Sequence, residues 1–177
     1  LRRLILILVV LIAPLVARPA TPGSKSDGDD VHRLRLYHTH TDERIDVVYR
    51  IGDTYIPEAV DELEHFLRDS RTGDVHHVDP RLFDLLSDLT ASVGEPDAEI
   101  DVVCGYRTPQ TNRMLRRRSR RVAKHSLHME AMAIDIRMPG VGTKELRDAA
   151  LSLGRGGVGY YRRKGFVHVD VGPVRRW

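Results

Sequence analysis

Two histidines and one aspartate in the second half of the chain are the residues best suited to chemistry. His128 stands seven positions before Asp135 in Ser126-Leu-His128-Met-Glu-Ala-Met-Ala-Ile-Asp135, and His168 falls within Phe166-Val-His168-Val-Asp170. Two neutral imidazoles and a carboxylate form the three-ligand set of an open zinc site, whose fourth position is left for water or substrate. Alternate residues of a strand share a face. Ala131, Ala133 and Asp135 then point one way and Ile134 and Ile136 the other, and the small alanines leave room over the carboxylate. In the same manner Val167, Val169 and Val171 bury one face and bring His168 and Asp170 together on the other. A carboxylate next to such an imidazole can orient it, or accept a proton from water. A third piece, Cys104-Gly-Tyr106-Arg107-Thr-Pro109, sets an arginine at a strand-to-helix turn, where its permanent charge suits a developing oxyanion. Each piece taken alone also has a plain structural reading: a satisfied histidine, the polar face of an edge strand, a surface arginine over a helix start.

The elements that must position these residues follow from periodicity. Leu34 to Tyr37 and Ile45 to Ile51 read as an N-terminal hairpin turning at His38 to Asp42. Pro57 opens a helix with Val60, Leu63, Phe66 and Leu67 on one face, and Pro80 a second with Leu82, Leu85, Leu86, Leu89 and Val93. Glu99 to Cys104 is a strand. Thr108-Pro109 gives an N-cap and first-turn proline to a helix running to about Arg120. Ala131 to Met138 reads as a strand and Thr143 to Leu153 as a helix. Val158 to Tyr161 and Phe166 to Val171 are closing strands. This order predicts an α+β fold: one small domain with a mainly antiparallel sheet and flanking helices.

Composition narrows the function classes. Hydrophobic residues at 41% and charged residues at 30% fit a globular domain, not a disordered or multi-span membrane chain. The single cysteine, Cys104, excludes a disulfide framework, a CxxC redox site and a multi-cysteine zinc ribbon. Arg2-Arg3, the apolar run Leu4 to Val16 and a small-residue exit read as a secretory signal over residues 1–20. That run is short for a bilayer span of about 20 residues, so an uncleaved anchor is the lesser alternative and the sole membrane attachment expected. Residues 21–30 read as a linker and 31–177 as the folded domain. The signal carries three arginines and no acid, which account for the whole net charge of +3. Arg113 to Lys124 holds seven basic residues and no acid, a local stripe in an otherwise acidic remainder. It lacks aromatic interleaving, so a solvated helix face or an acidic wall polymer suits it better than nucleic acid. His38, His40, His76 and His77 read as exposed loop histidines in preference to a second metal site.

The three pieces together resemble murein endopeptidases of the MepK/YcbK type, among the LAS-type zinc peptidases. The resemblance rests on SxHxxxxAxD, on the GYR-T/S-P turn and on GGVGYY…FVHVDxGPxRxW. It extends from about Leu34 to Trp177 and includes HFLRD at His65 to Asp69 and DPRLFDLL at Asp79 to Leu86. It implies the LAS/hedgehog-type fold, one zinc per chain on His128, Asp135 and His168, and Arg107 polarising the scissile carbonyl. Tyr106, Ser126, Tyr160 and Tyr161 flank these pieces as groove residues. A monomeric, exported periplasmic or cell-envelope enzyme acting on cross-linked stem peptides of peptidoglycan would follow. Two departures stand out. Ala131 replaces the usual glycine, and Gly165 and Phe166 occupy positions where related enzymes carry a titratable base. Asp170 is therefore the first choice of base, ahead of Glu130 and His125. The reading from another class is a zinc-holding peptidoglycan-binding module that no longer hydrolyses.

Overall fold

The computed structural model describes residues 30–120 and 122–177. The expected signal and all of the expected linker but Asp30 lie outside them. Strands β1 (Val31–His38) and β2 (Arg44–Ile51) form the expected hairpin, to which the two-residue β3 (Thr54–Tyr55) adds an edge. Helices α1 (Pro57–Phe66) and α2 (Arg81–Ser92) precede β4 (Glu99–Cys104), and α3 (Pro109–Arg118) follows it. A 3-10 turn (Leu127–Glu130) leads into β5 (Ala133–Arg137), then α4 (Thr143–Leu153), β6 (Gly157–Tyr161), β7 (Phe166–Asp170) and the short β8 (Arg175–Arg176). The eight strands form one sheet in the order β3-β2-β1-β4-β5-β7-β6-β8. Only the β1–β4 and β6–β8 pairs are parallel, so the fold is α+β with a mostly antiparallel sheet, as the element order predicts.

Period-two burial decides which face becomes the core. Leu34 and Leu36 of β1, Ile100 and Val102 of β4, Ile134 and Ile136 of β5, and Val167 and Val169 of β7 are all buried. They pack with Leu63 and Phe66 of α1, Leu82 to Leu89 of α2 and Leu146 and Ala150 of α4. The alternate positions of β5 and β7 form the opposite face, which α3 borders. β7 lies between β5 and β6, so it is an interior strand and not the edge strand of the plain reading.

One boundary differs from expectation. Ala131 does not begin a strand but ends the 3-10 turn in the left-handed region, with φ 49° and ψ 35°. L-residues pay about 1–2 kcal/mol there and glycine does not. The departure at Ala131 is thus a matter of backbone conformation, not of space over Asp135. His38 is also corrected: it ends β1, is buried, and meets Phe66 edge-on with ring centroids 5.8 Å apart. Burial, the largest influence, lowers its pKa. His76 and His77 are exposed as expected.

Candidate metal centre

Four strands and one turn bring the chemistry together. In the sheet register Cys104 pairs with Asp135, Asp135 with His168, and His168 with Gly159, forming one row across β4, β5, β7 and β6. The 3-10 turn delivers His128 over this row. Its Nε2 lies 3.3 Å from Asp135 Oδ1 and 3.1 Å from His168 Nδ1, and His168 Nδ1 lies 2.9 Å from Asp135 Oδ1. Tetrahedral ligands about 2.0–2.1 Å from a zinc ion stand roughly 3.3 Å from one another. The triangle therefore matches the donor spacing of that ion, and its two nitrogens and one carboxylate oxygen are the donor types a zinc accepts.

The outer nitrogens fix both rings. His128 Nδ1 donates to the Gly105 carbonyl at 2.8 Å, which leaves Nε2 facing the cluster. Gly105 can do this because a Cβ there would lie 2.6 Å from the Leu67 carbonyl oxygen, so only glycine lets the turn come this close. His168 Nε2 donates to Asp170 Oδ2 at 3.0 Å, which leaves Nδ1 facing inward. Burial opposes charge on His128. The Asp135 carboxylate and the neighbouring Cys104 outweigh it, and the pKa rises to about 10. Asp135 is held well below the usual carboxylate range, because His128 and His168 overcome its own burial.

Asp170 has a different place from the one expected. It is fully buried. Its Oδ1 accepts from the Gly157 and Gly172 amides at 3.0 and 2.9 Å, and its Oδ2 from Arg175 Nη2 at 2.7 Å besides His168. Burial alone would raise its pKa, but these donors bring it down to about 2. A saturated carboxylate behind the imidazole orients the ring and has no lone pair to offer water. These contacts suit an orienting role in place of the expected one as general base.

The cluster lies at the foot of a cleft of about 610 Å³. Arg107 and Ser126 line it, and Arg107 Nη2 donates to Ser126 Oγ at 3.0 Å. Arg107 is buried and its Nε has no hydrogen-bond partner among the described residues. The turn that holds it is anchored at α3, where Thr108 caps the Thr111 amide and also donates to buried Asp69. Arg71, Arg118, Lys164 and Arg175 add positive charge to the walls, while Asp135 is the only carboxylate among the lining residues. One end of the basic stripe thus borders the site; Arg121 lies outside the described residues.

Two groove assignments fail. Tyr160 does not line the cleft: it shares the β6 face of Val158 and lies under the Arg147 guanidinium of α4, 4.7 Å from ring centroid to carbon. Tyr106 packs on the core and against His76, with ring centroids 4.8 Å apart. Tyr161 takes the wall position, stacked on Phe166 and accepting from Trp177 Nε1 at 3.1 Å. Trp177 was not anticipated. Its indole lies 5.1 Å from the His168 ring centroid and occupies the space over Gly159, where a Cβ would come within 2.7 Å of it. Alternation from buried Val158 places Tyr161 on the site face, and the closing GPxRxW pattern was the available signal for Trp177. Of the remaining base candidates, His125 lines the cleft and Glu130 does not; His40, an exposed loop histidine as expected, lines it too.

A triangle of nitrogen and carboxylate donors beside a buried arginine, in an open cationic cleft, has the donor types and spacing that suit a metal-dependent hydrolase. Comparison with known proteins makes the class specific. The family described as peptidoglycan L,D-endopeptidase MepK matches residues 26–177. A probable peptidoglycan L,D-endopeptidase MepK of Haemophilus influenzae is 42% identical over 144 residues, covering 81% of this chain and 77% of that protein. The peptidoglycan L,D-endopeptidase MepK of Escherichia coli K12 is 40% identical over 168 residues, covering 95% and 88%. The chain belongs to the MepK family.

Proposed function

We propose that the chain is a zinc-dependent L,D-endopeptidase that hydrolyses peptide cross-links of peptidoglycan in the cell envelope, reached through the N-terminal export segment. The observation that carries this reading is the convergence of His128 Nε2, Asp135 Oδ1 and His168 Nδ1 within 3.3 Å, beside Arg107 in an open cleft. The specificity follows the names of the relatives.

His128, Asp135 and His168 would hold the zinc. When bound, the ion polarises the scissile carbonyl and lowers the pKa of water towards about 7. Arg107 lines the cleft and takes up negative charge as it develops on the carbonyl oxygen. Ser126 holds the guanidinium in that attitude. Asp170 keeps the His168 Nδ1 lone pair turned inward. With Asp170 saturated, His125 is the cleft residue placed to accept the proton from attacking water and return it to the leaving amine. The cationic walls suit stem peptides, which carry free carboxylates.

Purified protein should convert cross-linked muropeptide dimers to monomers by chromatography, with a bond involving diaminopimelate cut and monomeric stems much poorer substrates. A chelator should stop the reaction and added zinc restore it. Dimers that bind yet persist for hours with zinc loaded would make this a binding module, and faster cleavage of free D-Ala-D-Ala would make it a dipeptidase.

A further inference from the structure

The sole cysteine stands in the same cross-strand row as two of the ligands. The β4–β5 register shifts between Val102 and Cys104, and this irregularity sets Cys104 directly opposite Asp135. Residues so paired on an antiparallel ladder project from the same face, with Cβ atoms about 4.5–5.5 Å apart. A regular ladder would have placed Val103 there. The Cys104 sulfur, a His128 ring nitrogen and an Asp135 oxygen all lie within 4.8 Å of one another. His168 Nδ1 adjoins this group, 2.9 Å from that carboxylate and 3.1 Å from His128 Nε2. The thiol makes a long 3.7 Å contact to the Gly105 carbonyl, and it lines the cleft. Arg107, nine-tenths buried, lines the same space and donates from Nη2 to Ser126 Oγ at 3.0 Å.

We propose that Cys104 is a fourth donor of this centre, so that the resting site is closed by Cys104, His128, Asp135 and His168. The inference rests on the cation-centre reading above and deepens it. On binding, the sulfur–hydrogen bond breaks, the proton leaves to solvent and the sulfur electron pair goes to the metal; no oxidant or reductant is needed. Four-donor sites are closed and three-donor sites keep an exchangeable position. Turnover therefore requires the sulfur to yield its place, and this chain holds its metal tighter than three donors would. A soft thiolate also biases the site towards zinc and away from magnesium, calcium or manganese.

Cobalt(II) titration reads the sulfur directly, because a thiolate on cobalt gives an intense near-ultraviolet charge-transfer band while the visible bands report the bound ion itself. The full chain should develop both to a stoichiometry of one. Cys104→Ser should keep the visible bands, lose the charge-transfer band and bind cobalt at least tenfold more weakly. Metal loading should also slow alkylation of the thiol by iodoacetamide at least tenfold; mass spectrometry follows this at one site, since the chain has one cysteine. Visible bands without a charge-transfer band in the wild type, or equal affinity in Cys104→Ser, would overturn the fourth-donor role and leave the three-ligand centre standing. Failure of the wild type to bind cobalt or zinc at all would overturn both.

Discussion

Substituting Asp170→Asn separates an orienting carboxylate from a catalytic base. The asparagine oxygen can still accept from the Gly157 and Gly172 amides, which lie 3.0 and 2.9 Å from Oδ1. The amide nitrogen must then replace Oδ2, which accepts from Arg175 and from His168 Nε2. It is a donor where an acceptor is needed. His168 responds by carrying its proton on Nδ1, the nitrogen 2.9 Å from Asp135 and 3.1 Å from His128, so its lone pair faces away from the metal. Loss of an outer partner to a ligating imidazole costs roughly 10- to 100-fold in metal affinity, or about 1.4–2.7 kcal/mol. Two charge-assisted hydrogen bonds are lost besides, each worth about 1.5–3 kcal/mol. Zinc affinity should be measured against a chromophoric chelator, alongside circular dichroism and dimer cleavage at saturating zinc. The expected result is a folded variant with metal affinity reduced at least tenfold and turnover partly recovered by excess zinc. If Asp170→Asn binds zinc as the wild type does and loses turnover that zinc cannot restore, the orienting role is refuted and the base role returns.

Arg107→Ala should retain zinc and lose roughly 10²–10³ in kcat, the cost of one oxyanion donor, by muropeptide kinetics. Ala131→Gly should raise stability by about 0.5–1 kcal/mol in denaturant titration, the relief of left-handed strain less the added unfolded-chain entropy; Ala131→Val should lower it. Gly159→Ala should displace the Trp177 indole, shift the emission of the only tryptophan to longer wavelength and raise KM more than it lowers kcat.

The three candidate ligands were legible because each lies on or beside a segment whose burial pattern is set by β-branched neighbours. Ile134 and Ile136 fix Asp135, and Val167 and Val169 fix His168. What Asp170 does was not legible, since its partners arrive from Gly157, Gly172 and Arg175, and only the folded chain shows that its lone pairs are filled. Tyr160 and Tyr161 differ by one register step, and that step exchanges the core face for the cleft. The alignment of Cys104 with Asp135 depends on a ladder irregularity with no residue signature. β3 and β8 are two residues each, too short for any periodicity to show.

The position of β7 bears on when the site comes into existence. It is made after β6, yet it inserts between β5 and β6. A nascent chain that has reached β6 carries His128 and Asp135 but lacks the strand that joins the two halves of the sheet. Docking of that strand brings His168 and Asp170 beside them, so the candidate ligand set is complete only once the two halves of the sheet are joined. An ion that prefers the finished arrangement then acts as a clasp on it: at a thousandfold excess over Kd it adds about 4.1 kcal/mol against unfolding. A partly synthesised chain has neither the clasp nor the means to hydrolyse anything, and a fully made one loses both together when β7 is pulled out.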